Sequence, residues 1–163
     1  MTPVLPRLLA ADALRELALH SADSRAFRTE VLRRLQSLVS FDWYVWAITD
    51  PVTGVGIDPL ARIPDRRDAA RAIRLKYLEP LNRWTTLDVA ASLGDRAPQS
   101  RLWREVQHPA GVVDVASVVF REHANCWGFL DLWSNGTFSA DDVDVLRALA
   151  PGLTEALRIT RSR

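Results

Sequence analysis

Three side chains in the sequence could bind a metal ion: His108, His123 and the single cysteine, Cys126. The cysteine could also react as a thiol. His123 and Cys126 are three positions apart, a spacing that can bring both to one metal ion, and His108 lies farther back. A zinc site needs three or four ligands, and no carboxylate cluster completes this set. We therefore interpret His123 as a turn residue and Cys126 as a buried thiol, and expect no metal. A redox role for Cys126 stays an alternative.

The acidic residues give no catalytic constellation either. Asp141, Asp142 and Asp144 are close in sequence, but they belong to the first turn of a predicted helix, where the helix dipole favours acids. The sequence contains no Gly-x-Ser-x-Gly, Walker, His-Glu-x-x-His or dinucleotide-binding motif. We expect no enzyme and no bound cofactor.

Six tryptophans in 163 residues are the strongest indication of a binding site. Side chains alternate between the two faces of a strand. One face of the predicted strand 126–133 therefore carries Trp127, Phe129, Asp131 and Trp133. Tyr44 and Trp46 of an earlier strand could join this face, which has the apolar and aromatic character of small-molecule pockets. The alternative is that the indoles only fill the core.

The segment after Pro80 is expected to cover this aromatic face. Arg83 and Trp84 are candidates there, because a guanidinium beside an indole could pair with Asp131 or with an anionic group of a ligand. Such an arginine can equally form a surface ion pair. The predicted ligand-binding residues are Tyr44, Trp46, Arg83, Trp84, Trp103, Trp127, Phe129 and Asp131.

Helical periodicity and turn signals predict helices on both sides of a first hairpin. One helix runs from Pro6 to about residue 20, and a second, capped by Asp23 or Ser24, has Arg28 outside its buried stripe. The aromatic strand 43–48 and a strand at 55–63 form the hairpin, and Pro59 makes the second strand an edge. A further helix runs from about residue 65 to Pro80.

Later strands are predicted at about 112–121 and 126–133, and Ser100 is predicted to cap a short helix between Pro80 and these strands. The first of the two strands is apolar on both faces, so both faces of the sheet must be covered. We expect helices on one face, the irregular middle segment on the other, and a cavity beside Trp46 and Trp127 that could hold a small molecule.

Composition is consistent with one globular domain in a reducing compartment. The longest apolar run, 43–48, is far shorter than the ~20 residues of a membrane helix. The lone cysteine fits the cytoplasm, and a net charge of +1 gives no general attraction to nucleic acid. We predict an N-terminal helix at 1–22, a domain at 23–160 and a basic tail at 161–163.

The end of the sequence carries its most specific motif. Gly128 opens an apolar strand, where the absence of a side chain lets a neighbour approach closely. Ser139 is a helix N-cap, and Asp142, three residues on, can complete a capping box. Phe138 precedes the cap and can pack on the first helical turn.

This segment resembles the closing strand and helix of the GAF family. The residues that match the family pattern are Phe138, Ser139, Asp142, Val145, Leu146, Leu149 and Ala150. More narrowly, Trp103, Gly111, the segment 117–121 and the segment 126–128 resemble the N-terminal sensor region of LuxR-type actinobacterial transcription regulators.

The resemblance implies an α+β fold, an α/β sandwich with a GAF-like central antiparallel sheet. N- and C-terminal helices cover one face, and a helical and loop cover lies on the other. It also implies a small-molecule sensor and a homodimer formed through the terminal helices, with DNA contact only through a helix-turn-helix domain that we do not find in this chain. Together with the tryptophan face and the lone cysteine, it predicts a cytoplasmic regulator that binds a small apolar or aromatic effector. Pro151 and Gly152 depart from the pattern and predict a kink or break in the last helix. The alternatives are a non-sensing dimerisation module with a filled cavity, or an enzyme on the same scaffold.

Overall fold

A five-stranded antiparallel sheet forms the centre of the chain in the computed structural model, which describes residues 3–162. Met1, Thr2 and Arg163, which belong to the predicted N-terminal helix and basic tail, lie outside the described residues. The strands are β1 (Trp43–Thr49), β2 (Gly56–Arg62), β3 (Ala91–Ser92), β4 (Asp114–Glu122) and β5 (Asn125–Ser134). Their spatial order is β2-β1-β5-β4-β3, so the strand with Pro59 is an edge as predicted.

Helices cover the two faces of the sheet unequally. The helices are α1 (Ala11–His20), α2 (Ser24–Leu35), α3 (Ala69–Leu78) and α4 (Ala140–Arg161). α1, α2 and α4 pack on one face, which we call the helix face. α3 and the irregular segment 79–111, which contains a π-helical turn at Trp103–Gln107, cover the other, which we call the cover face. This arrangement confirms the predicted fold class.

The helix starts follow from side-chain capping. Asp23 is the N-cap of α2, where its Oδ1 accepts a bond of 2.7 Å from the backbone of Ala26. At α4, Ser139 Oγ accepts from the Asp142 N–H, and the Asp142 carboxylate accepts from the Ser139 N–H. These reciprocal bonds are the predicted capping box. The first predicted helix is divided at Ala10 into a short 3-10 turn and α1.

Arg28 was expected on the outside of α2, but its side chain is fully buried. The guanidinium donates to the carbonyl oxygens of Trp46 (2.8 Å) and Asp58 (2.9 Å) and to the Asp58 carboxylate (2.8 Å). The pairing of β1 with β2 is irregular at this point, so these carbonyls need another donor. Burial lowers the pKa of Arg28, and Asp58 opposes that shift.

Of the kink or break expected at Pro151, the break is wrong, because α4 runs without interruption for 22 residues. Pro151 is exposed, so the carbonyl that loses its helical hydrogen bond lies on the solvent side. Gly152 lets α1 approach closely, since a Cβ there would lie 3.3 Å from the Cα of Ala11. Gly152 therefore serves the packing of α1 on α4, and Pro151 is tolerated because it faces solvent.

Gly128 marks the tightest approach within the sheet. A Cβ at this position would lie 3.0 Å from the carbonyl oxygen of Ala47 and 3.4 Å from the side chain of Leu157. We expect Gly128→Val to lower the free energy of unfolding by about 1–3 kcal/mol through overpacking, measured by urea denaturation. Gly136→Ala is the matched control, because its nearest neighbour would be 3.9 Å away. Equal stability of the two variants would contradict the close approach.

Candidate ligand-binding site

A buried polar cluster lies between the sheet and the cover. Lys76 of α3 places its Nζ 3.2 Å from Asp131 Oδ2 of β5 and donates to Ser117 Oγ of β4 at 2.9 Å. The other carboxylate oxygen, Asp131 Oδ1, accepts from Trp84 Nε1 at 2.9 Å. Ser117 lies directly opposite Asp131 in the β4–β5 register. All four residues are at most 3% exposed.

The charged pair in this cluster is not explained by folding alone. Removing two charges from water is costly, and an apolar pair of similar volume is often as stable. Asp131 nevertheless lies in a strand whose neighbours on the same face are Phe129 and Trp133. A few convergent polar groups among apolar and aromatic side chains are typical of small-molecule sites. The pair is therefore the feature that makes this region a candidate site.

Aromatic rings surround the cluster. Trp84 stacks on Phe129 with ring centroids 4.9 Å apart and an angle of 8°. Tyr77 meets both rings edge-on, and its hydroxyl accepts from the backbone of Gly56 at 2.8 Å. Burial raises the pKa of Tyr77. Lys76 Nζ lies 5.8 Å from the Trp84 ring centroid, so the indole both caps and shields the charged pair.

The packing beside this cluster leaves narrow gaps, which together we call the hollow. Its walls are Val45, Ala72, Ile73, Lys76, Trp84, Leu102, Asp131 and Trp133. No part of it is wide enough for a water-sized sphere, so the expectation of an open cavity is wrong for this conformation. The indole N–H of Trp133 is buried and has no hydrogen-bond partner among residues 3–162.

The expected position of the cavity, beside Trp46 and Trp127, is also wrong. Val45, not Trp46 or Tyr44, is the β1 residue opposite Asp131, so Tyr44 and Trp46 point to the helix face. β4 pairs Phe120 with Gly128 and Arg121 with Cys126, so Trp127 is skipped in a bulge. A bulge shifts the alternation of side chains, and Trp127 packs on the helix face with Trp46.

The other predicted site residues lie on the cover face, but only some of them contact one another. Phe129, Asp131 and Trp84 come together as expected. Arg83 does not pair with Asp131, since it donates to the carbonyls of Glu79 and Leu78 at the end of α3. Asp131 instead forms an ion pair with Lys76 and accepts a hydrogen bond from Trp84 Nε1.

Trp103 lies at the outer part of the cover. It donates to the Val113 carbonyl at 3.2 Å and stacks on His108 with centroids 4.3 Å apart. Ser100 caps this turn as predicted, because its Oγ accepts from the Trp103 backbone. The buried Glu79 accepts from Ser100 Oγ at 2.7 Å. These bonds hold the end of α3 against the π-helical turn.

Lys76, Ser117 and Trp133 were not among the predicted site residues. The sequence contained a signal for Lys76, because it is the only lysine and lies four residues after Ala72, on the apolar stripe of α3. Ser117 is a polar residue within a strand that is apolar on both faces. Both signals are polar residues at positions where the hydrophobic pattern predicts apolar ones.

Arg121 holds the turn that carries Trp84. Its guanidinium donates to the carbonyl oxygens of Leu87 (3.0 Å), Trp84 (3.2 Å) and Thr85 (3.3 Å). The arginine lies near the end of β4, so these bonds connect the rigid sheet to the cover. The turn that closes the hollow is therefore fixed from outside by one side chain.

We expect Arg121→Gln to loosen this turn. Bonds from a charged donor contribute about 1.5–3 kcal/mol, so amide exchange at Thr86 and Leu87 should accelerate at least about tenfold, measured by hydrogen–deuterium exchange. Arg158→Gln is the control, because its guanidinium is half exposed and 3.8 Å from Glu122. Unchanged exchange in Arg121→Gln would contradict the role of this arginine.

A larger groove lies elsewhere, between α4, the end of β4 and the segment 88–90. It offers about 550 Å³ to water-sized spheres and is lined by three arginines and three acids along with small apolar residues. The arginines Arg121 and Arg147 already donate to backbone carbonyls. The lining of the groove carries as many positive as negative side chains. Among these lining residues we find no buried, unpaired charge that would select a ligand, so we do not take the groove as the candidate site.

The thiol and histidines do not assemble into a site. Within the part of the chain that the structure describes, no group of three or more His, Cys, Asp or Glu side chains could hold a metal ion. Burial raises the pKa of Cys126, which disfavours the reactive thiolate. Among residues 3–162, none of the helices has the length and apolar character to cross a bilayer.

The fold resembles solved regulatory domains. The ligand-binding domain of VqsR from Pseudomonas aeruginosa superposes with a TM-score of 0.64 at 13% identity, covering 93% of this chain and 96% of that one. CepR2 from Burkholderia cenocepacia, an N-acylhomoserine lactone-dependent LuxR-family transcription factor, gives a TM-score of 0.61 at 18% identity, covering 91% and 90%.

The GAF domain of a protein described as a sensor histidine kinase from Pseudomonas syringae pv. tomato gives a TM-score of 0.56 at 17% identity, covering 95% of this chain and 86% of that one. No family model matches the sequence, and no curated protein matches it significantly. At these identities the likeness concerns the fold. The chain therefore has a GAF-like fold, in the form that the ligand-binding domains of LuxR-type regulators also adopt.

Proposed function

We propose that this chain is a ligand-sensing regulatory domain that acts by binding rather than by catalysis. A small apolar or aromatic effector binds between the cover face of the sheet and the segment 79–111. The observation that carries the proposal is the buried Lys76–Asp131 pair beside a hollow whose other walls are apolar and aromatic. Solved domains with the same fold include ligand-binding domains of LuxR-type regulators, which supports this assignment.

The size of the hollow sets a condition on binding. Ligand pockets usually have volumes of ~300–1,000 Å³, so an effector must move part of the wall. The elements suited to this are on the cover, because they are short turns fixed by few bonds, such as those of Arg121. The closed structure then corresponds to the free state, and the effector stabilises a more open one.

The test is a thermal-shift screen with indole, acetophenone, ethylbenzene, benzoate and N-acylhomoserine lactones. A ligand at roughly a hundred times its Kd stabilises a protein by about 2.7 kcal/mol, or several degrees in Tm for a domain of this size. Two variants distinguish the possible sites. Ile73→Trp places a larger side chain at a half-buried position of the hollow, and Ala150→Trp does the same in the groove beside α4.

We expect at least one compound to raise Tm in the wild type and in Ala150→Trp, but not in Ile73→Trp. A compound whose effect disappears only in Ala150→Trp would move the site to the groove. A panel without any stabilising compound would contradict the sensing function.

A second candidate function is a dimerisation module that senses nothing, and the filled hollow is the observation that favours it. The pair α1 and α4 would then contact a second copy. In this case light scattering shows a dimer at micromolar concentration, and no small molecule changes stability. A monomer that binds a compound of the panel would exclude this candidate.

The same proposal extends to the kind of protein in which this domain acts. We propose a cytoplasmic transcription regulator in which the domain forms a homodimer through its terminal helices. DNA contact would then come from a separate helix-turn-helix domain. The helices α1 and α4 pack on each other around Gly152, so a change in one is transmitted to the other. The exposed side chains of Leu8, just before α1, and of Leu19, within α1, offer apolar surface for a second copy.

A further inference from the structure

Beside the hollow, the side-chain acceptors already have partners, whereas some hydrogen-bond donors remain available. Asp131 Oδ1 accepts from Trp84, Asp131 Oδ2 lies 3.2 Å from Lys76 Nζ in an ion pair, and Ser117 Oγ accepts from Lys76. The donors are not exhausted. Lys76 has three N–H bonds, of which one is donated to Ser117, while the ammonium group as a whole pairs with Asp131. Within the described residues 3–162, Trp133 Nε1 is buried without a partner.

A buried donor without a partner is costly, and a ligand that supplies an acceptor gains that energy on binding. Two other indoles, Trp46 and Trp127, also have buried N–H groups without a partner among residues 3–162. They pack on the helix face and do not line the hollow. Trp133 differs from them because it lines the same hollow as Lys76.

Charge restricts the acceptor further. Lys76 and Asp131 neutralise each other, so a carboxylate bound beside them would bring one uncompensated negative charge into an apolar layer. Burying such a charge without a partner is expensive. A neutral carbonyl oxygen accepts from both donors and adds no charge. The apolar walls Val45, Ala72 and Leu102 favour a hydrocarbon body attached to it.

From these contacts we infer that the effector is a neutral carbonyl compound with an apolar body, such as an aryl ketone or amide. Its oxygen accepts from Trp133 Nε1 and Lys76 Nζ, and Trp133 with Lys76 selects it against both hydrocarbons and carboxylates. This inference rests on the proposed function, since it concerns the same site. It adds the chemical class of the ligand and the two residues that recognise it.

The experiment compares three probes of nearly equal shape: acetophenone, ethylbenzene and benzoate. Their Kd values are measured by calorimetry on the wild-type chain, on Trp133→Phe and on Trp46→Phe. The wild type should bind acetophenone about tenfold more tightly than ethylbenzene, and benzoate more weakly than acetophenone by at least the same factor. Trp133→Phe should reduce the preference for acetophenone over ethylbenzene to about twofold or less, whereas Trp46→Phe should keep it.

Each other outcome overturns a defined part of the inference. Equal binding of acetophenone and ethylbenzene to the wild type leaves the sensing function intact but contradicts the carbonyl preference. A preference that survives in Trp133→Phe contradicts the role of Trp133. Tighter binding of benzoate contradicts the charge argument. If none of the probes binds and the wider panel also gives no ligand, the proposed function fails together with the inference.

Discussion

Replacing Lys76 with Met is expected to lower the free energy of unfolding by about 3–5 kcal/mol. The substitution leaves the Asp131 carboxylate buried, 2% exposed, without its positive partner, and uncompensated buried charges have costs of this size. Met has nearly the length of the lysine side chain, so little volume is lost. Urea denaturation at neutral pH measures the change.

The double variant Lys76→Met/Asp131→Asn should recover most of this loss. Asn removes the second charge while its side-chain oxygen can still accept from Trp84 Nε1. Arg15→Met is the matched control, because the Arg15–Glu155 pair is exposed and exposed pairs contribute about 0–1 kcal/mol. If Lys76→Met costs no more than Arg15→Met, the pair is not buried in solution and the candidate site loses its basis.

Replacing Trp84 with Ala should cost about 3–5 kcal/mol and create a site for free indole. The indole ring of Trp84 is 1% exposed, stacks on Phe129 and donates to Asp131, and large-to-small changes in cores have costs of this size. The space it leaves is continuous with the hollow. Apolar cavities of roughly 150 Å³ are known to bind benzene.

Indole should therefore raise the Tm of Trp84→Ala by several degrees. Indene, which has the same shape but no N–H group, should bind the variant about tenfold more weakly, because it cannot donate to Asp131. Thermal denaturation with both compounds measures the difference. Equal effects of indole and indene would contradict the Trp84–Asp131 hydrogen bond, and no effect of either would show that the cover collapses into the space.

Much of the fold was predictable because its signals are local. The capping box of Ser139 and Asp142, the edge strand at Pro59 and the two-sided β4 each depend on a few adjacent residues. The unbroken helix at Pro151 and the burial of Arg28 were not predictable in this way. Both depend on which face of a helix meets another element, and that is decided by packing between segments distant in sequence.

The candidate site was predicted only in part for the same reason. Phe129, Asp131 and Trp84 were correctly placed together, since strand alternation and the position of the cover suffice for that. Trp127 was placed on the wrong face because a single bulge opposite Phe120 reverses the alternation. Arg83 was one candidate partner of Asp131, but the partner is Lys76, whose position on the apolar stripe of α3 was the available signal.

In the proposed function, ligand entry requires movement of the cover. Trp84 contributes to the wall of the hollow, Arg121 fixes the turn of Trp84 to β4, and Glu79 with Ser100 joins α3 to the π-helical turn. An effector that pushes on Ile73 or Leu102 acts on this connected set. The helix face remains packed, so the response should be confined to the cover before it reaches α4.

The most direct test of the central claim is ¹⁹F NMR of the chain labelled with 5-fluorotryptophan and titrated with acetophenone. The six tryptophan signals are assigned by single Trp→Phe variants. Binding between the sheet and the cover predicts that the Trp84 and Trp133 signals shift with saturation, while those of Trp46 and Trp127 stay in place. Saturable shifts confined to Trp46 and Trp127, or spectra without any change at millimolar acetophenone, would contradict the account.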